Sequence, residues 1–147
     1  MRSLLALFAC LPLLAAPLPD CASVVRDLNG RLQGKLNARE LSETLSQLNR
    51  SGQLPAKFVT KQTARELGWR PGRSLWASPE LEGKSMGGDV FRNFERRLPK
   101  GSWREADLNY RGGKRGAQRL VFEPRPDGRR YVTIDHYNQF TEAPACR

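Results

Sequence analysis

The stretch SWREADLNY, residues 102–110, decides how the rest of the chain is read. From Trp103 to Tyr110 its residues alternate in character, which is the period of a half-buried strand. On that period Glu105, Asp107 and Asn109 share one face, and Ala106, Leu108 and Tyr110 share the other. A strand that sends two carboxylates to one face needs cations beside it or open water. Arg111, Lys114, Arg115 and Arg119 follow at once. The one histidine, His136, arrives later in TIDHY, residues 133–137, between Asp135 and Tyr137. A carboxylate, a lone imidazole and a group of guanidinium ions suit acid–base chemistry on a phosphodiester.

Working outward, helical patterns precede this strand and strand patterns surround it. Residues 37–49 read as a helix, with Asn37 as cap, Glu40 completing a capping box and Leu41, Leu45 and Leu48 forming an apolar stripe. Gly52 and Pro55 stop it, and the segment ahead of Asn37 reads as loose. A shorter helix starts at the Thr60 cap and ends at Gly68, with Lys61 in its first turn. Residues 71–84 are loop-rich, with room for one helical turn at 74–78. Strands are expected at 86–91, 103–110, 118–123, 129–134 and 138–141, with a hairpin turn at Asp127-Gly128. The fold class is therefore α+β, N-terminal helices packed on one face of a C-terminal antiparallel sheet.

The totals agree with one domain. The chain has 147 residues and is 39% hydrophobic, enough for one modest core. Its 25 Lys+Arg against 15 Asp+Glu leave a net charge of +10, which attracts polyanions and nucleic acid before others. Arg2 followed by the apolar run 4–16 has the make-up of an export signal and is too short for a membrane span. Residues 1–16 are thus expected to be a signal, cut no later than about residue 22. Residues 17–147 then form one secreted domain, periplasmic or extracellular, with no membrane span. Cys10 leaves with such a signal, while Cys21 and Cys146 remain at opposite ends. In an oxidising compartment that pair suits one disulfide; a cut beyond Cys21 would instead leave Cys146 a free thiol.

Longer runs carry a resemblance. In order come LP, F, TK and LGW (Leu54-Pro55, Phe58, Thr60-Lys61, residues 67–69), GKSMGGDVF (83–91), WREADLNY (103–110), DHY (135–137) and QFT (139–141). This series resembles the barnase-like secreted bacterial ribonucleases, the microbial guanyl-preferring ribonuclease family, from about Leu54 to Thr141. The resemblance implies the microbial ribonuclease fold and a monomer that cleaves single-stranded RNA after purines, with no cofactor and no metal. It also implies a barstar-like acidic protein inhibitor as a partner. Carried over by position, it makes Glu105 the general base and His136 the general acid, with Lys61, Arg115, Arg119 and Tyr137 on the scissile phosphate. Asp89 and Asp107 would pair with those cations and order them. Phe91, Asn93, Phe94 and Glu95 would form the base-recognition loop. Phe94 departs from the family, which has arginine there, so weaker guanine selectivity and weaker inhibitor binding are expected.

The residues fit that chemistry on physical grounds. RNA supplies its own nucleophile, the 2′-hydroxyl, so the protein needs a base for that proton and an acid for the departing 5′-oxygen. A carboxylate and an imidazolium do this near neutral pH, because their ordinary pKa values flank it in the required order. Arginines suit bidentate phosphate contacts and a lysine supplies a point charge. One histidine cannot build a multi-histidine metal centre. Asp107 also reads as purely structural, a neutraliser of arginines, and Trp69, Trp76 and Trp103 read as core aromatics. The competing function is a cationic nucleic-acid-binding or antimicrobial protein with little catalysis; it gives no reason for Glu105 to face RNA.

Overall fold

Two long helices stand ahead of the sheet rather than one. In the computed structural model, which describes residues 3–12 and 16–147, α1 spans Cys21–Arg31 and α2 spans Ala38–Ser51. The segment expected to be loose is therefore mostly helix. Asp20 caps α1 by accepting the Ser23 N–H at 2.8 Å, and Val24, Val25 and Leu28 bury one stripe at helical spacing. Both signals stand in the sequence, hidden behind Pro17 and Pro19. Of the expected export segment, Arg2 and residues 13–15 lie outside the described residues. Leu4, Leu5, Leu7, Phe8 and Leu11 are exposed and carry no regular structure.

Helix α2 starts and stops as its sequence indicates. Asn37 accepts the Glu40 N–H at 3.0 Å, and Gly52 ends it at φ 74°. The capping box is only half made. The Glu40 side chain turns away to Lys57 and to the Asn109 N–H, and the Asn37 N–H is taken by Asn109 Oδ1 at 2.8 Å. Leu41, Leu45 and Leu48 are buried, each worth roughly 1.5–3 kcal/mol of apolar transfer. The short α3 covers Lys61–Glu66 under the Thr60 cap. Two single-turn 3-10 segments, Leu75–Ala77 and Pro79–Leu81, replace the one turn expected in the loop.

The sheet has six strands in sequence order: β1 Phe58–Val59, β2 Ser85–Phe91, β3 Trp103–Asp107, β4 Arg119–Phe122, β5 Arg130–Thr133 and β6 Thr141–Ala143. All neighbours are antiparallel except β1, a two-residue edge that pairs parallel to β2. Three expectations shift. β3 ends at Asp107 and not Tyr110, because Asn109 turns to φ 62° to bind the start of α2. The last strand begins at Thr141, since residues 135–138 are spent on a turn. The β4–β5 hairpin turns at Arg125–Gly128, with Gly128 N–H donating to the Arg125 carbonyl at 3.0 Å, one residue earlier than the Asp-Gly pair suggests.

The two sheet faces have different work. Ala106, Leu120, Phe122 and Val132 face the stripes of α1 and α2 in one core. On the other face Trp103 and Val121 pack with Leu98, Phe91, Tyr131, Tyr137 and Phe140. A bulge in β2 decides what else reaches this face. Gly87 opposes Ala106, Asp89 opposes Glu105, and Gly88 is the extra residue at φ 104°. A Cβ on Gly87 would stand 2.7 Å from Phe58 and 3.0 Å from Ala106, so the pair Gly87-Gly88 answers to space and to φ in turn.

Candidate active site

Strand register brings charged side chains together on the open face. Asp89 on β2 lies directly across from Glu105 on β3, and Asp107 lies directly across from Arg119 on β4. Arg119 in turn opposes Thr133 on β5. Three acids on adjoining strands would repel unless cations or donors answer them. Asp107 is answered twice. Arg115 grips both its oxygens, with Nε 2.6 Å from Oδ2 and Nη2 2.9 Å from Oδ1, and Arg119 Nε lies 2.9 Å from that same Oδ1. This last contact is charge on charge at a poor angle, so the buried Arg119 Nε has no directed hydrogen bond.

The two arginines end up in unlike settings. Arg119 is 4% exposed, and its Nη1 is held by the carbonyls of Gly116 and Gln118, so Nη2 is the uncommitted nitrogen among the described residues. Arg115 keeps a third of its side chain in water, and its bond to Asp107 raises its pKa further. Asp89 differs from what the resemblance implied. It accepts the backbone N–H of Lys61 at 3.1 Å, so it anchors the start of α3 and makes no ion pair with the Lys61 ammonium. That leaves the Lys61 side chain without an acidic partner among the described residues.

Tyr137 sits at the centre of the site. Its hydroxyl donates to Glu105 Oε2 at 2.7 Å, the Arg119 guanidinium lies 5.8 Å from its ring, and Phe91 stacks on it at 5.2 Å. Burial first, and the Glu105 carboxylate second, push its phenol well above the ordinary range. His136 is exposed beside it, with ring centroids 4.9 Å apart. Both residues hold left-handed backbone, φ 53° and 71°, which costs a non-glycine residue free energy and needs fixing from around it. Thr133 and Asp135 do much of that fixing. Thr133 Oγ1 accepts the Tyr137 N–H and donates to Asp135 Oδ1, and Asp135 Oδ1 accepts the Gln139 N–H at 3.0 Å. The His136 N–H is held by the Ala117 carbonyl.

Beside Tyr137 opens a cleft of about 360 Å³ lined by residues 90–95 with Arg97, Tyr137 and Phe140. The expected recognition residues gather there. Asn93, at φ 51°, shapes the loop through paired bonds with Leu98: Nδ2 to the carbonyl at 2.8 Å, and the Leu98 N–H to Oδ1 at 3.1 Å. Its side chain is thus spent on the loop. Phe94 projects outward, 84% exposed, and Glu95 pairs with Arg97 at 2.9 Å. Of the residues expected to act on the phosphate, Tyr137 lines the cleft; Glu105 and Arg119 meet its hydroxyl and ring, His136 stands beside it, Arg115 joins Arg119 through Asp107, and Lys61 opens α3, its backbone N–H on Asp89. Among the described residues no three His, Cys, Asp or Glu side chains converge on one point as metal ligands would.

A family profile described as ribonuclease matches residues 42–144. The chain belongs to the ribonuclease family. Within it, the chain is 47% identical over 97 residues to a ribonuclease of Bacillus intermedius, a stretch that covers 64% of this chain and 58% of that one. The ribonuclease of Bacillus pumilus matches to the same extent. One from Heyndrickxia coagulans is 47% identical over 96 residues, 63% of this chain and 85% of that one. Helix α1 and both disulfide cysteines fall outside the family stretch.

Sequence reasoning missed three participants of this candidate site. Arg97, Phe140 and Thr133 were given no role, although Phe140 stands in the QFT run. Arg97 is one of two adjacent arginines, and only the turn of the loop sends it toward Tyr137. Thr133 could have been noticed as the residue that opens TIDHY.

Proposed function

We propose that this protein is a secreted endoribonuclease that cleaves single-stranded RNA by transphosphorylation and then hydrolysis. The observation that carries the reading is the bond to Glu105 from Tyr137, the chain neighbour of His136, on a face where Asp107 clasps Arg115 and Arg119. Family membership supports the same reading.

In this reading Glu105 takes the proton of the 2′-hydroxyl, which attacks the adjacent phosphorus. His136, as imidazolium, gives a proton to the leaving 5′-oxygen, and a 2′,3′-cyclic phosphate results. Water then opens the ring with the two roles reversed. Negative charge gathers on the phosphoryl oxygens along the way. Arg115 and Arg119 answer it from fixed positions, which lowers the barrier because little reorganisation is needed, Lys61 adds its charge, and the Tyr137 hydroxyl joins them once Glu105, having taken the proton, releases it. Asp107 fixes the guanidinium groups before substrate arrives. The base enters the cleft, with Glu95 offering acceptors and Phe94 a face to stack on. Purine preference with reduced guanine selectivity follows from Phe94, and that same exposed ring weakens capture by a barstar-like acidic inhibitor.

The test is digestion of RNA in excess EDTA by wild type, Glu105→Ala and His136→Ala, with products resolved by chromatography. Wild type should give cyclic phosphates first, and each variant should lose at least about a hundredfold in rate. Undiminished cleavage by both variants, or loss of wild-type cleavage in EDTA, overturns the mechanism.

A further inference from the structure

Arg97 joins the two loops that the reaction needs to act together. Its Nη1 donates to the carbonyl of Tyr137 at 2.8 Å and of Asn138 at 3.2 Å. Its Nη2 lies 2.9 Å from Glu95 Oε2. One guanidinium thus spans from the cleft loop, residues 91–97, to the turn that carries His136. Besides the Thr133 bond to the Tyr137 N–H and the Phe91 and Arg119 contacts with the Tyr137 ring, three hydrogen bonds tie His136 and Tyr137 to more distant parts of the chain: the Ala117 carbonyl on the His136 N–H, Glu105 on the Tyr137 hydroxyl, and Arg97 on the Tyr137 carbonyl. Two successive left-handed residues give up that conformation easily when such a contact is lost.

The partner on the other side matters as much. Glu95 stands in the cleft with 69% of its side chain in water, and Arg97 is its only ion-pair partner among the described residues. When base donors bond to the Glu95 carboxylate, they share its charge and loosen its hold on Arg97. The freed guanidinium bonds the turn carbonyls more strongly, because a hydrogen bond from an ion strengthens as its counter-ion is drawn off.

We propose that Arg97 is a positioning residue that couples base capture at Glu95 to the placement of His136. The coupling rests on the reading of Glu105, His136 and the cleft given above. A base that engages Glu95 therefore steadies the acid, and selectivity appears in kcat as well as in KM. The alternative for an exposed arginine at this edge is a plain contact with an RNA phosphate, which raises affinity for every sequence alike.

The experiment measures kcat and KM for dinucleoside phosphates with a purine or a pyrimidine 5′ to the scissile bond, for wild type, Arg97→Ala, Arg97→Lys and His136→Ala. Arg97→Ala should lower kcat on the purine substrates by about tenfold or more, within what a misplacement near 1 Å costs. KM should change less, and the purine advantage in kcat should shrink. Arg97→Lys should recover only part, since one ammonium cannot serve both Glu95 and the carbonyls. If Arg97→Ala melts below the assay temperature, Arg97→Gln, which keeps donors for the Tyr137 carbonyl without the charge, should keep kcat on pyrimidine substrates and lose the purine advantage in kcat. An effect confined to KM, equal for all bases and erased by salt, overturns the coupling. So does wild-type behaviour of Arg97→Ala while His136→Ala is inactive. An active His136→Ala enzyme refutes the underlying site reading instead.

Discussion

The Tyr137 hydroxyl donates to Glu105 Oε2 at 2.7 Å, and this bond ties the turn that carries His136 to the strand that carries the proposed base. It holds the carboxylate in one direction and leaves its second oxygen for substrate. Tyr137→Phe removes the donor and keeps the ring that stacks on Phe91. A hydrogen bond to a charged group is worth about 1.5–3 kcal/mol, so kcat/KM should fall roughly tenfold to a hundredfold. Since burial and Glu105 raise the phenol's pKa, absorbance titration should find Tyr137 still protonated where an ordinary tyrosine ionises. Glu105→Gln should bring that ionisation to lower pH. An unchanged rate in Tyr137→Phe would show that Glu105 needs no such orientation.

Asp107 holds two cations while almost none of its own side chain reaches water. Asp107→Asn keeps the shape and removes the charge, so Arg119 stays buried with nothing to neutralise it. Breaking a buried pair in this way typically costs about 3–5 kcal/mol. Urea unfolding should show a loss of that order, with activity falling as well because Arg115 is no longer aimed. If stability holds within about 0.5 kcal/mol, the ordinary scatter for surface substitutions, Asp107 is not the clamp described.

The two readings of SWREADLNY explain how much the sequence could disclose. Alternation correctly put Glu105 and Asp107 on one face and Ala106 on the other, because strand period is local. It failed at Asn109, whose side chain is recruited by α2 from 72 residues away, a partner that no local pattern names. Helix α1 escaped for a different reason. Its cap and its stripe are local and legible, yet the prolines ahead of it and the leader-like run drew the reading away. That cations would answer Asp107 was legible from charge, while the choice of Arg115 and Arg119 came from the resemblance. Arg97 was not legible, because its importance comes from a loop that folds back onto Tyr137.

Phe94 offers a mostly exposed ring at the mouth of the cleft. Stacking of a base on an aromatic platform is worth roughly 1–3 kcal/mol. Phe94→Ala should therefore raise KM for dinucleoside substrates by about fivefold to a hundredfold, with kcat changed less. Phe94→Arg should sharpen the preference for guanine over adenine. Equal KM values for wild type and Phe94→Ala would remove Phe94 from the binding surface.

Glu123 makes the clearest link between pH and stability. Hydrogen bonds from Arg129, both side chain and backbone, hold its carboxyl down from 4.5 to about 2, with Arg125 adding to the effect. A depressed carboxyl contributes stability above its unfolded pKa and loses it as pH falls through the folded one. The contribution should thus be complete above about pH 5 and fade between there and pH 2, amounting to roughly 2–3 kcal/mol. Glu123→Gln should be less stable at pH 7 and show a shallower decline over that window. Parallel curves for the two proteins would mean that Glu123 gains nothing from its arginines.

Cys21 and Cys146 are bonded, with a sequence separation of 125. The bond fastens the start of α1 to the end of the chain, and backbone bonds reinforce it: Cys21 N–H to the Arg147 carbonyl at 3.0 Å and Arg147 N–H to the Pro19 carbonyl at 2.9 Å. Closing so long a loop restricts the unfolded chain and stabilises the fold by up to about 5 kcal/mol in the chain-entropy model. Cys21→Ser with Cys146→Ser should lower unfolding free energy by roughly 2–5 kcal/mol, and hydrogen exchange should quicken first in α1. The site lies on the opposite sheet face from α1, and the family stretch begins inside α2. RNA cleavage at 25 °C should accordingly survive in the double variant. Lost cleavage in a variant that remains folded would mean that α1 supports the site and not the stability of the helical layer alone.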